Sequence, residues 1–508
     1  MKIKLLKFSA AFLAGALCVL GFAPFSLWFL PFLGAAFLFF HGKQGFFFSF
    51  LFGAGFFLFG VSWVFNSLKQ FGGMPIILAG IATLLFCLTL ALFYGIALFL
   101  FRRFNDFNAP FLFAAIFTLL DYLRGNLFGG FPWLIFGYAQ VNNIFLKYFL
   151  PFFGVYFLSF LTFFIGALLA LSVIKKSLRY LTPIVFILMI GFFLQFIEWT
   201  KEKETPLSVL LIQNNISLEE KFNPNLFYHL IGNNLKTIDE NPADLIIFPE
   251  TELPRLWATL PDFIKMEFKN RAQNRHIVMG ILGKNEKGYL NSAVHLNQHL
   301  ESFYHKRHLV PFGEFVPPFF EWIMQKLNVP LGNFSTPEKA NELFKINQHF
   351  ASVNICYEDA FGAELKTAQN ADFLMNLSNT IWFGKSLAQA QHLEIAQTRA
   401  IENQKPFLKA TNSGITAIIL HNGNIKKQLP EFKKDILKGE IIPREGKTFY
   451  SIAGDFPILI FCFLIVIFHG QRRIFSKKAA LTVKKSCFKM RNFLFSCRFS
   501  SVGRAAHS

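Results

Sequence analysis

NICYEDAFG, from Asn354 to Gly362, follows the apolar run Ala351–Ile355, so a strand is expected to lead straight into Cys356 and then into a helix. A strand-to-helix turn exposes a nucleophile and points backbone N–H groups at it. A thiol with an ordinary pKa of about 8.5 is mostly protonated at neutral pH, so it needs a base or a nearby cation to react. Two further polar clusters at expected strand ends supply both. In FPETELP, Phe248 to Pro254, Pro249 ends the strand and holds Glu250 at a rigid turn. YHKRHLVPFGEFVP, Tyr304 to Pro317, is read with Lys306 on a strand and Glu314 after a Pro–Phe–Gly turn. Each residue alone has an ordinary reading: Cys356 as a small buried hydrophobe, Glu250 as a turn carboxylate, Lys306 as solvated surface. Together they form a catalytic set, with Glu250 as base, Lys306 stabilising thiolate and oxyanion, and the Tyr357 N–H as second oxyanion donor. Glu314 and Glu358 are assigned to hold and orient Lys306.

Working outward, short apolar runs alternate with helical patterns across Lys201–Lys447. The expected strands are Ser208–Ile212, Leu245–Phe248, Ile277–Leu282, Asn291–Leu296, Ala351–Ile355, Phe373–Leu377, Phe407–Ala410 and Thr416–Leu420, and Tyr289–Phe303 has room for two adjacent strands. Continuous apolar runs suit strands buried on both faces, hence a layered α/β domain. Leu387–Asn403 reads as a helix with an apolar face of Ala390, Leu393, Ile395, Ala396 and Ile401. Of the six cysteines, Cys18, Cys87 and Cys462 fall in apolar segments and Cys487 and Cys497 in a basic tail. Cys356 therefore has no partner for a disulfide within the α/β domain.

The flanks of this domain are membrane-like. The 508 residues are 53% hydrophobic and include 71 Phe, with a mean hydropathy of +0.40. A span needs about 20 apolar residues, and candidates lie at Leu5–Phe22, Phe25–Phe40, Gly45–Phe65, Pro75–Phe101, Ala109–Leu123, Tyr148–Ile174, Leu181–Ile197 and Phe456–Phe468. The first is read as a helix, because further spans follow at once without a small-residue cleavage site. The predicted organisation is a membrane domain over 1–200, a catalytic domain over 201–447, a closing helix over 448–470 and a basic tail over 471–508. The net charge of +19 does not call for nucleic acid, because the basic residues flank alternate spans. Lys2, Lys4, Lys7, Lys43, Arg102, Arg103, Lys175, Lys176, Arg179, Arg472, Arg473, Lys477 and Lys478 fall on one side, which the positive-inside rule makes cytoplasmic. The α/β domain is then expected outside the cytoplasm, on the opposite side of the membrane from the basic residues. Asp121 and Arg124 beside a span are expected either to pair or to meet a lipid headgroup.

The three clusters resemble the signature blocks of the nitrilase, or carbon–nitrogen hydrolase, superfamily with its Glu–Lys–Cys triad. HLVPFGEFVP together with eight spans is similar to the apolipoprotein N-acyltransferase family. So are GFAPFSLW (Gly21–Trp28), SWVFNSLKQFGGMP (Ser62–Pro75), DYLRGNLFGGFPWLIFGYAQ (Asp121–Gln140) and the stretch Trp382–Gly414. Phe222 stands where that family usually has Trp, Thr380 where Asp is common, and Glu252 adds a carboxylate beside Glu250. The resemblance implies a polytopic α-helical membrane domain in a bacterial inner membrane, carrying an inserted αββα sandwich on the periplasmic side. It implies a ping-pong reaction without cofactor or metal: a phospholipid acyl chain passes through a Cys356 thioester to the amine of a diacylglyceryl-cysteine lipoprotein. A monomer is expected.

Phe222, Phe319, Trp322 and Trp382 are the expected substrate contacts. The apolar stretch Val316–Phe334, with Phe319, Phe320, Trp322, Ile323, Met324 and Leu327, is either an arm dipping into the outer leaflet or packing for its own domain. Two rivals stand beside the transferase: a membrane-tethered amidase acting on a small C–N substrate, and a non-enzymatic scaffold or transporter. The same thiol chemistry serves water or an amine, so the triad does not exclude the amidase. A scaffold has no need of Glu250, Lys306 and Cys356 together. His305 and His308 flank Lys306, but HKRH lacks the partner ligands of a zinc site.

Overall fold

The computed structural model describes residues 2–104, 106, 108–316, 334–339 and 341–473. The expected arm, with Phe319 and Trp322, and the tail beyond Arg473 lie outside the described residues. In the first half, uncharged apolar sequence becomes helix, the element that satisfies every backbone polar group within its own segment. The helices are α1 (Lys2–Cys18), α2 (Leu30–Phe40), α3 (Phe46–Gly60), α4 (Ile76–Phe104), α5 (Pro110–Asn126), α6 (Leu150–Ile174) and α7 (Thr182–Leu194). A closing helix α11 covers Phe456–Arg473. All eight expected spans fall on these helices. Among the described residues, five of them are long and apolar enough to cross a membrane, and Phe46–Gly60 with Val64–Gln70, bent by 58°, makes a sixth if the pair is taken as one span. Leu30–Phe40 and Leu178–Leu194 are shorter.

Small residues let these helices touch. A Cβ on Gly15 would stand 1.9 Å from the Phe52 carbonyl oxygen, and one on Gly55 2.0 Å from that of Phe12. The Asp121–Arg124 alternative resolves as a pair. Arg124 Nη2 lies 3.3 Å from Asp121 Oδ1, both side chains are buried, and Arg124 Nη1 also donates to the carbonyls of Phe131 and Trp133.

Thr200–Glu202 (β1) pairs antiparallel with Arg444–Gly446 (β15), closing the neck of the second domain. One main sheet holds β2 (Leu207–Gln213), β3 (Leu245–Ile247), β4 (Leu253–Leu256), β5 (His276–Asn285), β6 (Gly288–Leu296), β7 (Glu301–His305) and β14 (Asp435–Ile441). The other runs from β8 (Phe344–Ile346) through β9 (His349–Ile355), β10 (Phe373–Ser378), β11 (Phe407–Thr411) and β12 (Ala417–Ile419) to β13 (Ile425–Gln428). Strand alternation explains the continuous apolar runs. Val209 and Leu211 of β2 face the second sheet, packing in one layer with Val353, Met375 and Leu408. Leu210 and Ile212 point the other way, onto α8 (Phe227–Glu240) and α9 (Asp262–Arg271) through Ile231, Ile238, Ile264 and Phe268. On the far side Leu374, Phe407 and Ile419 pack against Leu393, Ala396 and Ala400 of α10 (Leu387–Asn403). The result is the expected αββα sandwich.

Helix α10 has the bounds read from sequence. Ser386 caps its first turn by accepting from the Ala388 N–H, and Gln404 ends it with φ +47°. Its surroundings differ from an amphipathic surface helix. Gln391, His392, Glu394, Arg399 and Glu402 are all buried, because the face opposite the sheet packs on the membrane domain. Trp133 Nε1 donates to Gln391 Oε1 (2.7 Å), the Ala23 N–H to Glu394 (3.2 Å) and the Val155 N–H to Glu402 (3.0 Å).

A buried histidine pair sets a pH limit on this fold. His276 of β5 and His295 of β6 share a 2.9 Å hydrogen bond, and His295 stacks on Phe344 between the sheets. Burial lowers both rings, His295 to about 3 against an ordinary 6.5. The unfolded chain therefore binds protons that the folded chain refuses. The His295 contribution is complete above about pH 6.5 and falls as pH drops from there toward 3, by about 1.4 kcal/mol per pH unit, and His276 adds a loss of the same sign. The unfolding midpoint in detergent, followed by tryptophan fluorescence, should decline over this window, and His295→Gln should flatten the decline.

Candidate active site

The three clusters meet because of strand direction. β3 and β5 run parallel, and two antiparallel steps through β6 return β7 to the same sense. Glu250 and Lys306 therefore leave the same edge of the first sheet. Cys356 leaves the end of β9, in the facing sheet. Lys306 sits one residue past β7 rather than on it. Its N–H still pairs with the Asn291 carbonyl at 2.8 Å, and the chain then turns away. The helix expected after Cys356 is a short 3-10 turn, Cys356–Ala360, followed by Phe361 in a non-helical conformation.

Each cluster contains a non-glycine residue in the left-handed region: Thr251 at φ +50°, Phe312 at +63° and Cys356 at +54°. Such backbone costs about 1–3 kcal/mol per residue and survives where its surroundings over-determine it. At Glu250 the determinants are visible. The carboxylate accepts from Asn291 Nδ2 at Oε1 and from the Asn379 N–H at Oε2, both at 2.7 Å. Gly280 passes against the same turn so closely that a Cβ there would lie 2.3 Å from the Thr251 nitrogen.

Lys306 Nζ lies 2.9 Å from Glu314 Oε2, 3.0 Å from Glu314 Oε1 and 3.6 Å from Glu250 Oε1. Asn291 bridges the two carboxylates, donating to Glu314 Oε1 as well at 2.7 Å. Burial opposes the Lys306 charge, but Glu314 and Glu250 outweigh it and hold the ammonium well above its ordinary pKa. It is a fixed cation, suited to stabilising an oxyanion and unsuited to giving up its proton. The Cys356 thiol is pushed well up, first by burial and then by Glu250, while Lys306 and Lys409 pull it down. In the resting site it is a thiol, so attack requires proton transfer to a base. Glu250, a buried carboxylate 3.6 Å from the Lys306 ammonium, is the candidate acceptor.

The geometry changes one assignment. Glu358 does not reach the Lys306 ammonium. Instead it accepts from Tyr304 Oη (2.8 Å), the Arg307 N–H (2.7 Å), the His308 N–H (3.2 Å) and the Ile355 N–H (2.7 Å). It ties the backbone flanking Lys306 to the strand before Cys356. Glu314 does contact the lysine. The Tyr357 N–H opens the 3-10 turn, where amides have no partner inside the turn. The Tyr357 phenol donates to the Gly130 carbonyl of the membrane domain at 3.0 Å.

Phe222, at the end of the short helix Leu218–Phe222, is half exposed, and its neighbour Lys221 is the buried one, with Nζ 3.5 Å from the Glu250 carbonyl. Trp382 is also partly exposed, and its carbonyl accepts from Ser67 Oγ of the membrane domain. Glu252 is an anchor beneath Glu250, accepting from Asn214 (2.8 Å) and Asn234 (2.7 Å). His308 joins the domains, with Nε2 2.8 Å from the Gly129 carbonyl and its ring 3.5 Å from that of Phe361. Sequence reading missed Asn291, Lys221 and Asn376. A signal existed for two of them, since Asn291 and Asn376 are amides inside otherwise apolar strands, where burial requires a partner.

Comparison with known proteins agrees across both domains. Residues 14–168 match the apolipoprotein N-acyltransferase N-terminal domain, and residues 208–447 match the carbon–nitrogen hydrolase family. An apolipoprotein N-acyltransferase of Haemophilus ducreyi is 35% identical over 495 residues, covering 92% of this chain and 97% of that one. The chain belongs to the apolipoprotein N-acyltransferase family. A second member, from Nitrosomonas europaea, is 37% identical over 487 residues, covering 91% of this chain and 98% of its own. The family's two halves thus correspond to the helical and sandwich domains, and the candidate triad falls wholly in the second.

Gly280→Ala should move the Glu250 turn without touching a charged group. Acyl transfer by the purified variant is expected to fall by at least about tenfold while the protein remains folded, because small displacements of reacting groups carry large rate penalties. Wild-type turnover would show that the turn tolerates the added methyl.

Proposed function

We propose that this chain is an apolipoprotein N-acyltransferase of the bacterial inner membrane, with its sandwich domain on the periplasmic side. Glu250 takes the Cys356 proton as Sγ attacks the ester carbonyl of a phospholipid. Lys306 and the Tyr357 N–H stabilise the oxyanion. The ester C–O bond breaks, Glu250 returns the proton to the leaving oxygen, and a lysophospholipid departs from the thioester. The α-amino group of a diacylglyceryl-cysteine lipoprotein then attacks the thioester carbon. Glu250 removes the amine proton, the C–S bond breaks, and the thiol is restored as the amide forms. One chain supplies the whole candidate triad, in keeping with a monomer.

The observation that carries this reading is the junction between the nucleophile turn and the membrane domain. Tyr357 donates to Gly130, Tyr138 donates to the Ala360 carbonyl at 3.2 Å, and His308 meets Gly129. A small C–N substrate gives no reason to fuse the turn to lipid-facing helices, whereas a bilayer acyl donor does. The basic flanks of alternate spans support the orientation.

Purified protein incubated with acyl-labelled phospholipid should form a hydroxylamine-sensitive adduct, absent in Cys356→Ser and reduced by at least about a hundredfold in Glu250→Gln. A diacylglyceryl-cysteine peptide should discharge the adduct far faster than water does. Rapid discharge by water alone would establish the amidase instead, and an unlabelled wild type would remove the acyl-enzyme.

A further inference from the structure

Behind the nucleophile lies a second buried polar network that the triad does not use. Lys409 of β11 has Nζ 2.9 Å from Asp359 Oδ2, 3.0 Å from Asn376 Oδ1 and 3.1 Å from His392 Nε2. Asp359 Oδ1 lies 2.8 Å from His392 Nε2, and Asn376 Nδ2 donates to the Cys356 carbonyl at 3.0 Å. Every one of these four residues is at most 1% exposed. We propose that Lys409 is a positioning residue for the nucleophile, fixing both ends of the strained Cys356 turn. The inference rests on Cys356 being the nucleophile.

The reasoning starts from hydrogen-bond polarity. An ammonium donates and never accepts, so Lys409 forces the oxygen of the Asn376 amide toward itself. The amide NH2 group is thereby aimed at the Cys356 carbonyl. Ser378, whose hydroxyl also meets Asn376 Oδ1, can donate or accept and so does not dictate the amide's orientation. Asp359, three residues after Cys356 on the same turn, is clamped by the same ammonium. Lys409 therefore holds the turn at its start through Asn376 and near its end through Asp359, at a residue whose φ of +54° needs such support.

The charged groups around the thiol are Glu250, Glu314 and Lys306 from the first sheet and Lys409 from its own sheet. Asp359 and His392 stand behind Lys409. Its positive charge is thus a second contribution to thiolate formation, additional to that of Lys306. His392 extends the network into α10, where its ring lies 5.7 Å from that of Trp133 in the membrane domain.

Lys409→Met alone would strand the Asp359 carboxylate in the interior, so the informative variant is Asp359→Asn with Lys409→Met, which leaves neither charge of the pair. The full chain in detergent is treated with iodoacetamide across a pH series, with Cys356→Ser as the blank for the other cysteines. Acyl-enzyme formation from labelled phospholipid is measured alongside. The double variant should move the Cys356 alkylation midpoint up by about one pH unit and slow acyl-enzyme formation by at least about tenfold. Lys409→Arg, which keeps a donor-only cation, should restore both to within about threefold of wild type. A double variant that melts earlier but alkylates and acylates like wild type would reduce Lys409 to a structural pair and overturn the inference. A wild type without Cys356-dependent alkylation or adduct would overturn the nucleophile reading itself, and the inference with it.

Discussion

A fully buried ammonium costs several kcal/mol unless anions are fixed around it. Lys306 is such a group, and the site is arranged to satisfy it. Glu314 and Glu250 supply the charge, and Asn291 holds both carboxylates apart at 2.7 Å each. The turn carrying Glu314 closes on itself through the Val310 N–H, which donates to Glu314 Oε2. Glu358 then ties the chain beyond Lys306 to the strand that ends in Cys356. Removing any one of these contacts would leave a charge or a strained backbone unsupported, so Glu250, Lys306 and Cys356 form a single mechanical unit.

That unit is not confined to the sandwich. Helix α10 buries its apolar side on the second sheet and its polar side on the membrane helices, through Gln391, Glu394 and Glu402. The sandwich fold provides the strand ends, and the membrane domain provides carbonyls at Gly129 and Gly130 for His308 and Tyr357.

The sequence was most legible where one physical signal dominated. Apolar runs marked both the spans and the doubly buried strands, and the spacing of Ala390, Leu393, Ile395, Ala396 and Ile401 marked α10. The site was legible through local motifs, which place Glu250, Lys306, Glu314 and Cys356 near turns. It was less legible where contacts are long-range. Glu358 faces backbone amides fifty residues earlier in the chain rather than the nearby cation, and no local pattern distinguishes those roles. The burial of the polar residues of α10 was not legible, because the sequence does not reveal that a second domain covers them. Strand breaks were also blurred: Lys306 keeps one ladder bond through its N–H while leaving β7, and the segment after Cys356 is a 3-10 turn that ends at the non-helical Phe361.

The Gly129–Gly130 turn has a further consequence for how such proteins are recombined. Both glycines have positive φ, and a Cβ on Gly130 would lie 2.0 Å from the Gly125 carbonyl oxygen, so the turn's shape is intrinsic to that segment. Its carbonyls meet His308 and Tyr357 from the other domain. A chimera joining one relative's helices to another's sandwich at the Thr200 neck would therefore cut across matched surfaces, even though the covalent joint is clean. The workable unit of exchange is the sandwich together with the 125–138 segment. Two regions separated in the chain are inherited as one part.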